Sequence, residues 1–190
     1  MSQPPRPNVD SYGFEWPNDF NHEQHDEFMA KYISVLSRRA KKWDKLMKSK
    51  EGFHKSNKVK RYVRKGIPNS HRGSIWSYIS GAKELKEQKP DLYPTLLKSP
   101  MKQEFIDTID LDIPRTFPDN IYFKTASSDS KREALRNVLL AFAHHNPLIG
   151  YCQGLNFIAG IMLLITDNED MTFWLLQSLK EISSDYYDKK

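Results

Sequence analysis

The chain of 190 residues has one cysteine, Cys152, so it cannot close a disulfide within itself. A lone thiol fits a reducing compartment. Long apolar runs are missing too. The longest, LNFIAGIMLLI from Leu155 to Ile165, falls short of the ~20 residues a membrane-spanning helix needs. The first residues, MSQPPRPNVD, are polar and proline-rich, unlike a secretory signal. No stretch alternates apolar and polar residues as a half-buried strand does. Repeats and low-complexity tracts are absent. These absences predict a soluble, intracellular, all-α protein.

Familiar catalytic patterns are also missing. His22 and His25 stand three apart in HEQH with no further ligand nearby, which does not make a zinc helix. No metal site is expected. Gly150 and Gly154 lack the lysine and the preceding strand of a phosphate loop. Cys152 could be imagined with His144 and His145 as a thiol–base pair. Nearness in sequence is no evidence of pairing in space, and a lone cysteine where a helix begins reads as a small buried apolar residue.

What is present is an uneven charge. Hydrophobic residues make up 38% and charged ones 28%, with a net charge of +5. From Arg38 to Lys65 thirteen Lys and Arg face only Asp44 and Glu51. This stretch is either a solvated helix face or a contact for an anionic membrane or an acidic protein surface. Nucleic acid is not expected, because no recognised binding motif accompanies the charge. Trp43 and Tyr62 read as core anchors rather than a base-stacking row.

Periodicity predicts the helices. Residues 1 to about 18, with Pro4, Pro5, Pro7 and Pro17, carry none and read as unstructured. A helix follows over roughly Glu23 to Met47, with Phe28, Tyr32, Val35, Trp43 and Leu46 recurring at helical steps. Gly52 and the polar residues to Asn57 make a break. In GIPNSHRGSIWSYISG, Pro68 suits the first turn of a short helix, Gly81 its stop, and Arg72 and Trp76 share one face. Ser99-Pro100 opens another helix that turns Phe105, Ile106 and Ile109 inward. It must end before Ile113, since Pro114 disfavours the α region for its predecessor. Ser130 and Glu133 form a capping box for a helix with a Leu135, Val138, Leu139 and Phe142 stripe, ended by Asn146-Pro147. The helix after Gly154 is apolar all round and is expected at the centre of the core. A last helix runs from about Glu169 to Ile182. The organisation expected is a disordered N-terminus over 1–20, a basic amphipathic helical arm over 21–61, and one main domain over 62–190.

Three segments carry more information together than apart: Gly66-Ile67-Pro68 with Arg72 and Trp76; Ile109-x-x-Asp112-x-x-Arg115; and Gly150-Tyr151-Cys152-Gln153-Gly154. In this order and spacing, across about residues 62 to 187, the sequence resembles the TBC-domain family of Rab GTPase-activating proteins. The resemblance implies an all-α fold, namely the N-terminal helical lobe of a TBC domain behind the basic arm. It implies an enzyme activator rather than an enzyme, acting on a Rab-family small GTPase in its GTP-bound state. Arg115 and Gln153 would be the catalytic residues, inserted into the partner's site. Asp112 would orient Arg115, Gly150 and Gly154 would shape the turn bearing Gln153, and Arg72 with Trp76 would buttress the fold. No cofactor is implied, because the GTP and Mg²⁺ are held by the partner. The setting would be cytoplasmic, peripheral on endomembranes.

Taken without the family pattern, the residues leave other readings open. Arg115 could cap the negative end of the preceding helix, and Gln153 could be a polar cap of the next. Family domains also continue past the position matching Tyr186-Tyr187 with a second lobe. The resemblance therefore leads one to expect an incomplete domain with an exposed apolar patch, poor solubility or weak activity. A non-catalytic, Rab-binding adaptor is the alternative reading.

Overall fold

A computed structural model of the chain describes residues 8–48, 54–124 and 129–182. Nine α-helices follow in order among these residues: α1 (His22–Met47), α2 (Asn57–Lys65), α3 (Asn69–Ser80), α4 (Ala82–Gln88), α5 (Leu92–Lys98), α6 (Gln103–Asp112), α7 (Arg132–His145), α8 (Leu155–Thr166) and α9 (Glu169–Ile182). A single 3₁₀ turn, Ile113–Arg115, follows α6. The all-α expectation is met. The extended pairing among the described residues is limited to two isolated bridges, Val9 with Glu15 and Phe14 with Asn120. No helix of the described residues is long and apolar enough to cross a membrane.

The chain divides into two compact units, Met1–Trp16 with Trp76–Lys190, and Pro17–Ile75. The division falls inside α3 rather than near residue 61, so α2 and the segment to Ile75 group with the basic arm. In the smaller unit, α1 starts at Asn21, whose side chain accepts from the Gln24 amide. α2 starts at Ser56, which accepts from the Val59 amide. Each satisfies a donor that the first helical turn leaves orphaned. Trp43 is the anchor: it is buried, donates from Nε1 to the Gly66 carbonyl at 3.1 Å, and meets the Tyr62 ring edge-on. The predicted α1 stripe is only partly buried, and Phe28 is exposed.

The larger unit is built around α7. Leu135, Val138, Leu139 and Phe142 recur at three- and four-residue steps and are all buried. They meet α5, α6, α8 and α9, and α9 adds Phe173, Trp174 and Leu176. Burying each such side chain stabilises the fold by about 1.5–3 kcal/mol. The two-turn helices α4 and α5 are too short to show a period and were not expected from the sequence.

Several expectations are corrected. Residues 8–16 are ordered by pairing with a distant segment: the Glu15 amide donates to the Asp119 carbonyl, the Ile121 amide to that of Gly13, and Asn120 Nδ2 to that of Tyr12. Residues 1–7 of the stretch expected to be unstructured lie outside the described residues, as do Gly52 and Tyr186-Tyr187. Ile113 keeps α-region angles, φ −53° and ψ −50°, although Pro114 follows, because the backbone tightens there into the 3₁₀ turn. The capping box of α7 does not form. Ser130 accepts instead from the Arg132 amide at 3.4 Å, and Lys131 holds the cap position. α8 is central on one side only: Leu155, Ala159, Gly160 and Leu163 are buried while Phe157, Ile158 and Ile161 are exposed. Cys152 is exposed rather than buried, since the turn before α8 holds it outside the core.

Candidate functional site

Arg115 closes the 3₁₀ turn that α6 runs into, and its side chain is 73% exposed. Two devices fix that turn. Thr116, fully buried, donates from its hydroxyl to the Asp112 carbonyl at 2.9 Å, satisfying a carbonyl that the end of α6 leaves free. Phe117 then takes a left-handed conformation at φ 49°, unusual for a bulky residue. Its ring is held edge-on against Phe14, Phe123 and Phe157, with centroids 5.1 to 5.6 Å away. Gly160 of α8 makes room for it: a Cβ there would lie 2.8 Å from the Phe117 ring.

Gln153 sits on the turn between α7 and α8 and is exposed, and among the described residues its amide makes no hydrogen bond within the chain. Gly150 and Gly154 bracket that turn at φ +63° and φ +101°, angles that a residue with a Cβ adopts only under strain. Gly150 is also buried against Phe105 of α6, where a Cβ would approach to 3.0 Å. Gly154, not Gln153, is the cap residue of α8.

Two polar links tie the two turns to each other. Tyr151 donates from its hydroxyl to Oδ2 of Asp112 at 2.7 Å, and Oδ1 of that carboxylate is 3.9 Å from Nη1 of Arg115. Burial first, then the bond to the Asp112 carboxylate, push the Tyr151 phenol above its ordinary pKa, which keeps it a hydrogen-bond donor. The second link is deeper. Asn156, 2% exposed, donates from Nδ2 to the Thr116 hydroxyl at 2.8 Å and accepts at Oδ1 from the Gly154 amide at 3.2 Å. One buried amide thus bonds the residue after Arg115 and the residue after Gln153. A long aliphatic side chain could fill the space but could not set this register.

Asp112, Arg115, Gly150, Gln153 and Gly154 therefore belong to one linked pair of turns. Arg72 and Trp76 fall in different units, Arg72 in Pro17–Ile75 and Trp76 in the larger one. Arg72 donates from Nη2 to the Ile67 carbonyl at 2.8 Å, within Pro17–Ile75, and burial lowers its pKa. Trp76 belongs to the other unit and packs against its core. Sequence reasoning missed Tyr151, Thr116 and Asn156 as supporting residues. A polar Asn at the first turn of an otherwise apolar helix was the available signal, since a buried amide needs partners. No group of three or more His, Cys, Asp or Glu among the described residues could hold a metal ion.

Comparison with known proteins shows the family of the chain. Residues 69–190 match the family model described as the Rab-GTPase-TBC domain. The chain is 44% identical to growth hormone-regulated TBC protein 1-A of Danio rerio over 94% of its own length and 51% of the relative's. It is 46% identical to growth hormone-regulated TBC protein 1 of Homo sapiens over 95% of its length and 54% of the relative's. It thus spans about half the length of each. Among solved structures, the Chlamydomonas flagellar RabGAP TBC domain superposes with a TM-score of 0.76 at 31% identity, covering 91% of this chain and 58% of that one.

Proposed function

This chain belongs to the Rab-GTPase-TBC domain family, and on that premise we propose that it accelerates GTP hydrolysis by a Rab-family small GTPase, inserting Arg115 and Gln153 into the partner's site. GTP hydrolysis spreads negative charge over the β- and γ-phosphoryl oxygens in the transition state and needs a water held in line. A guanidinium arriving from outside neutralises that charge with a fixed fork of donors, which an ammonium does not reproduce. Such arginines accelerate hydrolysis by about 10³–10⁵-fold. A glutamine amide donates and accepts together, so it can bond the phosphate and the water at once.

The observation that supports this reading most is the Asn156 bridge. Arg115 and Gln153 are both exposed, yet the residues following them share one buried amide. Two turns held in register before the partner arrives leave less ordering entropy to be lost on binding. The nucleotide and Mg²⁺ belong to the GTPase in this scheme, and the chain brings no cofactor. The setting is the cytoplasmic face of endomembranes during vesicle trafficking.

Single-turnover hydrolysis across a panel of GTP-loaded Rabs tests the proposal. Acceleration by the 190-residue chain, abolished in Arg115→Ala and nearly so in Arg115→Lys, is the expected result. Binding to a GTP-loaded Rab with unchanged hydrolysis would instead assign the chain a non-catalytic adaptor role.

A further inference from the structure

The basic arm folds into a cleft that the proposed activity does not use. Arg38, Arg39 and Lys42 of α1 face Arg61 and Lys65 of α2 across about 480 Å³ of open space, with Trp43 and Tyr62 contributing aromatic surface. That volume lies in the range of sites for small organic ligands. Arg38 and Lys42 are four residues apart on one helix, and Arg61 and Lys65 four apart on the other, so each pair shares a face. Like charges so placed repel along each helix and again across the cleft. Among the described residues no carboxylate pairs with any of the five, while elsewhere in the chain Lys86 pairs with Asp170 and Arg136 with Asp110.

One of these cations is already oriented. Arg39 is half-buried, donates from Nη2 to the Tyr32 hydroxyl at 3.2 Å, and stands over that ring at 5.9 Å. Its guanidinium rests beside Gly66, where an added Cβ would come within 3.0 Å of Nη1. The other four are exposed around it. An oriented guanidinium surrounded by exposed cations suits a ligand with several anionic oxygens, such as a phosphorylated ring.

The charge does not stop at the cleft. A second, shallower recess on α1 adds Lys41 and Lys45 to Arg38 and Lys42. A small soluble anion would need only the cleft; a charged surface carrying that anion would engage both. We propose that the cleft between α1 and α2 binds the phosphorylated headgroup of an anionic membrane lipid, with the adjoining lysines lying on the surrounding bilayer. This goes beyond the activator reading and does not depend on it, since vesicle binding is measured without any GTPase.

Co-sedimentation of the full chain with phosphatidylcholine vesicles carrying a phosphatidylinositol bisphosphate provides the test. Phosphatidylserine vesicles of equal surface charge are the comparison. We expect tighter binding to the bisphosphate vesicles and competition by soluble inositol trisphosphate. Each lining cation is worth roughly five-fold in vesicle affinity and its charge reversal roughly thirty-fold. Lys42→Glu and Arg61→Glu should therefore each lose about thirty-fold, Lys42→Gln and Arg61→Gln about five-fold, and Lys98→Glu on α5 should change little. Thermal melting equal to the parent chain qualifies each variant. Equal binding to both charged vesicles, with Lys98→Glu as harmful as Arg61→Glu, would replace the site with diffuse attraction and overturn the proposal. So would binding of inositol trisphosphate or a phosphopeptide without vesicle binding, or no binding at all.

Discussion

Tyr151 donates a 2.7 Å hydrogen bond to one oxygen of Asp112, and the other oxygen of that carboxylate stands 3.9 Å from the guanidinium of Arg115. One carboxylate thus links the turn bearing Arg115 to the turn bearing Gln153. At 3.9 Å, with Arg115 mostly exposed, the ion pair is a loose guide rather than a lock, and surface pairs of this kind contribute little to stability. Such a contact can direct a side chain and still release it to a partner.

Removing the phenol should therefore affect rate more than affinity. Tyr151→Phe is expected to lower the maximal stimulation of GTP hydrolysis about tenfold, in keeping with a lost hydrogen bond to a charged group. The chain concentration giving half-maximal effect should stay the same. Titrating the chain into single-turnover reactions separates the two quantities, and unchanged maximal stimulation would remove Tyr151 from any positioning role.

The same phenol should show itself in alkali. Its folded pKa is raised by burial and by the Asp112 bond, so the neutral form is favoured in the native state. The stabilisation is complete below the ordinary tyrosine value of about 10 and is lost as pH rises through the higher folded value. Phenolate absorbance of the parent chain minus that of Tyr151→Phe should report one tyrosine that titrates late. In denaturant that difference should return to the ordinary range.

Thr116 and Asn156 predict a stability effect that follows one buried hydroxyl, which donates to the Asp112 carbonyl and accepts from Asn156. Thr116→Val keeps the shape but strands the Asn156 amide, and should cost about 1–3 kcal/mol in urea unfolding. Thr116→Ser restores the hydroxyl and should recover most of it. If the valine variant unfolds like the parent, the bridge is not a structural constraint.

Two glycines near the turns should be intolerant for different reasons. Gly154→Ala places a Cβ at φ +101° and should destabilise by about 1–2 kcal/mol through the backbone alone. No neighbour lies within 4 Å to clash with it. Gly160→Ala keeps a helical backbone but drives a Cβ to 2.8 Å from the Phe117 ring, an overpacking that costs about 1–3 kcal/mol. Adding Phe117→Leu should rescue Gly160→Ala but not Gly154→Ala, a contrast that thermal melting of the double variants can read.

Local information in the sequence determined the helices that have a period. α1, α7 and α9 were visible because three or more turns repeat an apolar face, and α6 stops at Asp112, two residues before Pro114. The resemblance to the family, carried by three motifs in order, pointed to Arg115 and Gln153, and the run of Lys and Arg from Arg38 to Lys65 marked the arm as basic. Tertiary structure decided everything that needed a distant partner. Asp10 to Glu15 are ordered by residues more than a hundred positions away, which no local pattern announces. Tyr151 finds Asp112, and Asn156 finds Thr116, across separations of 39 and 40 residues. Only packing could leave Cys152 exposed, split α8 into a buried and an open face, or bring two i, i+4 cation pairs to face each other across a cleft. Periodicity records how a segment meets the core as a whole. It carries no record of which side chain on another segment it will meet, because a hydrogen bond or a charge cluster is fixed by the three-dimensional path of the chain between them.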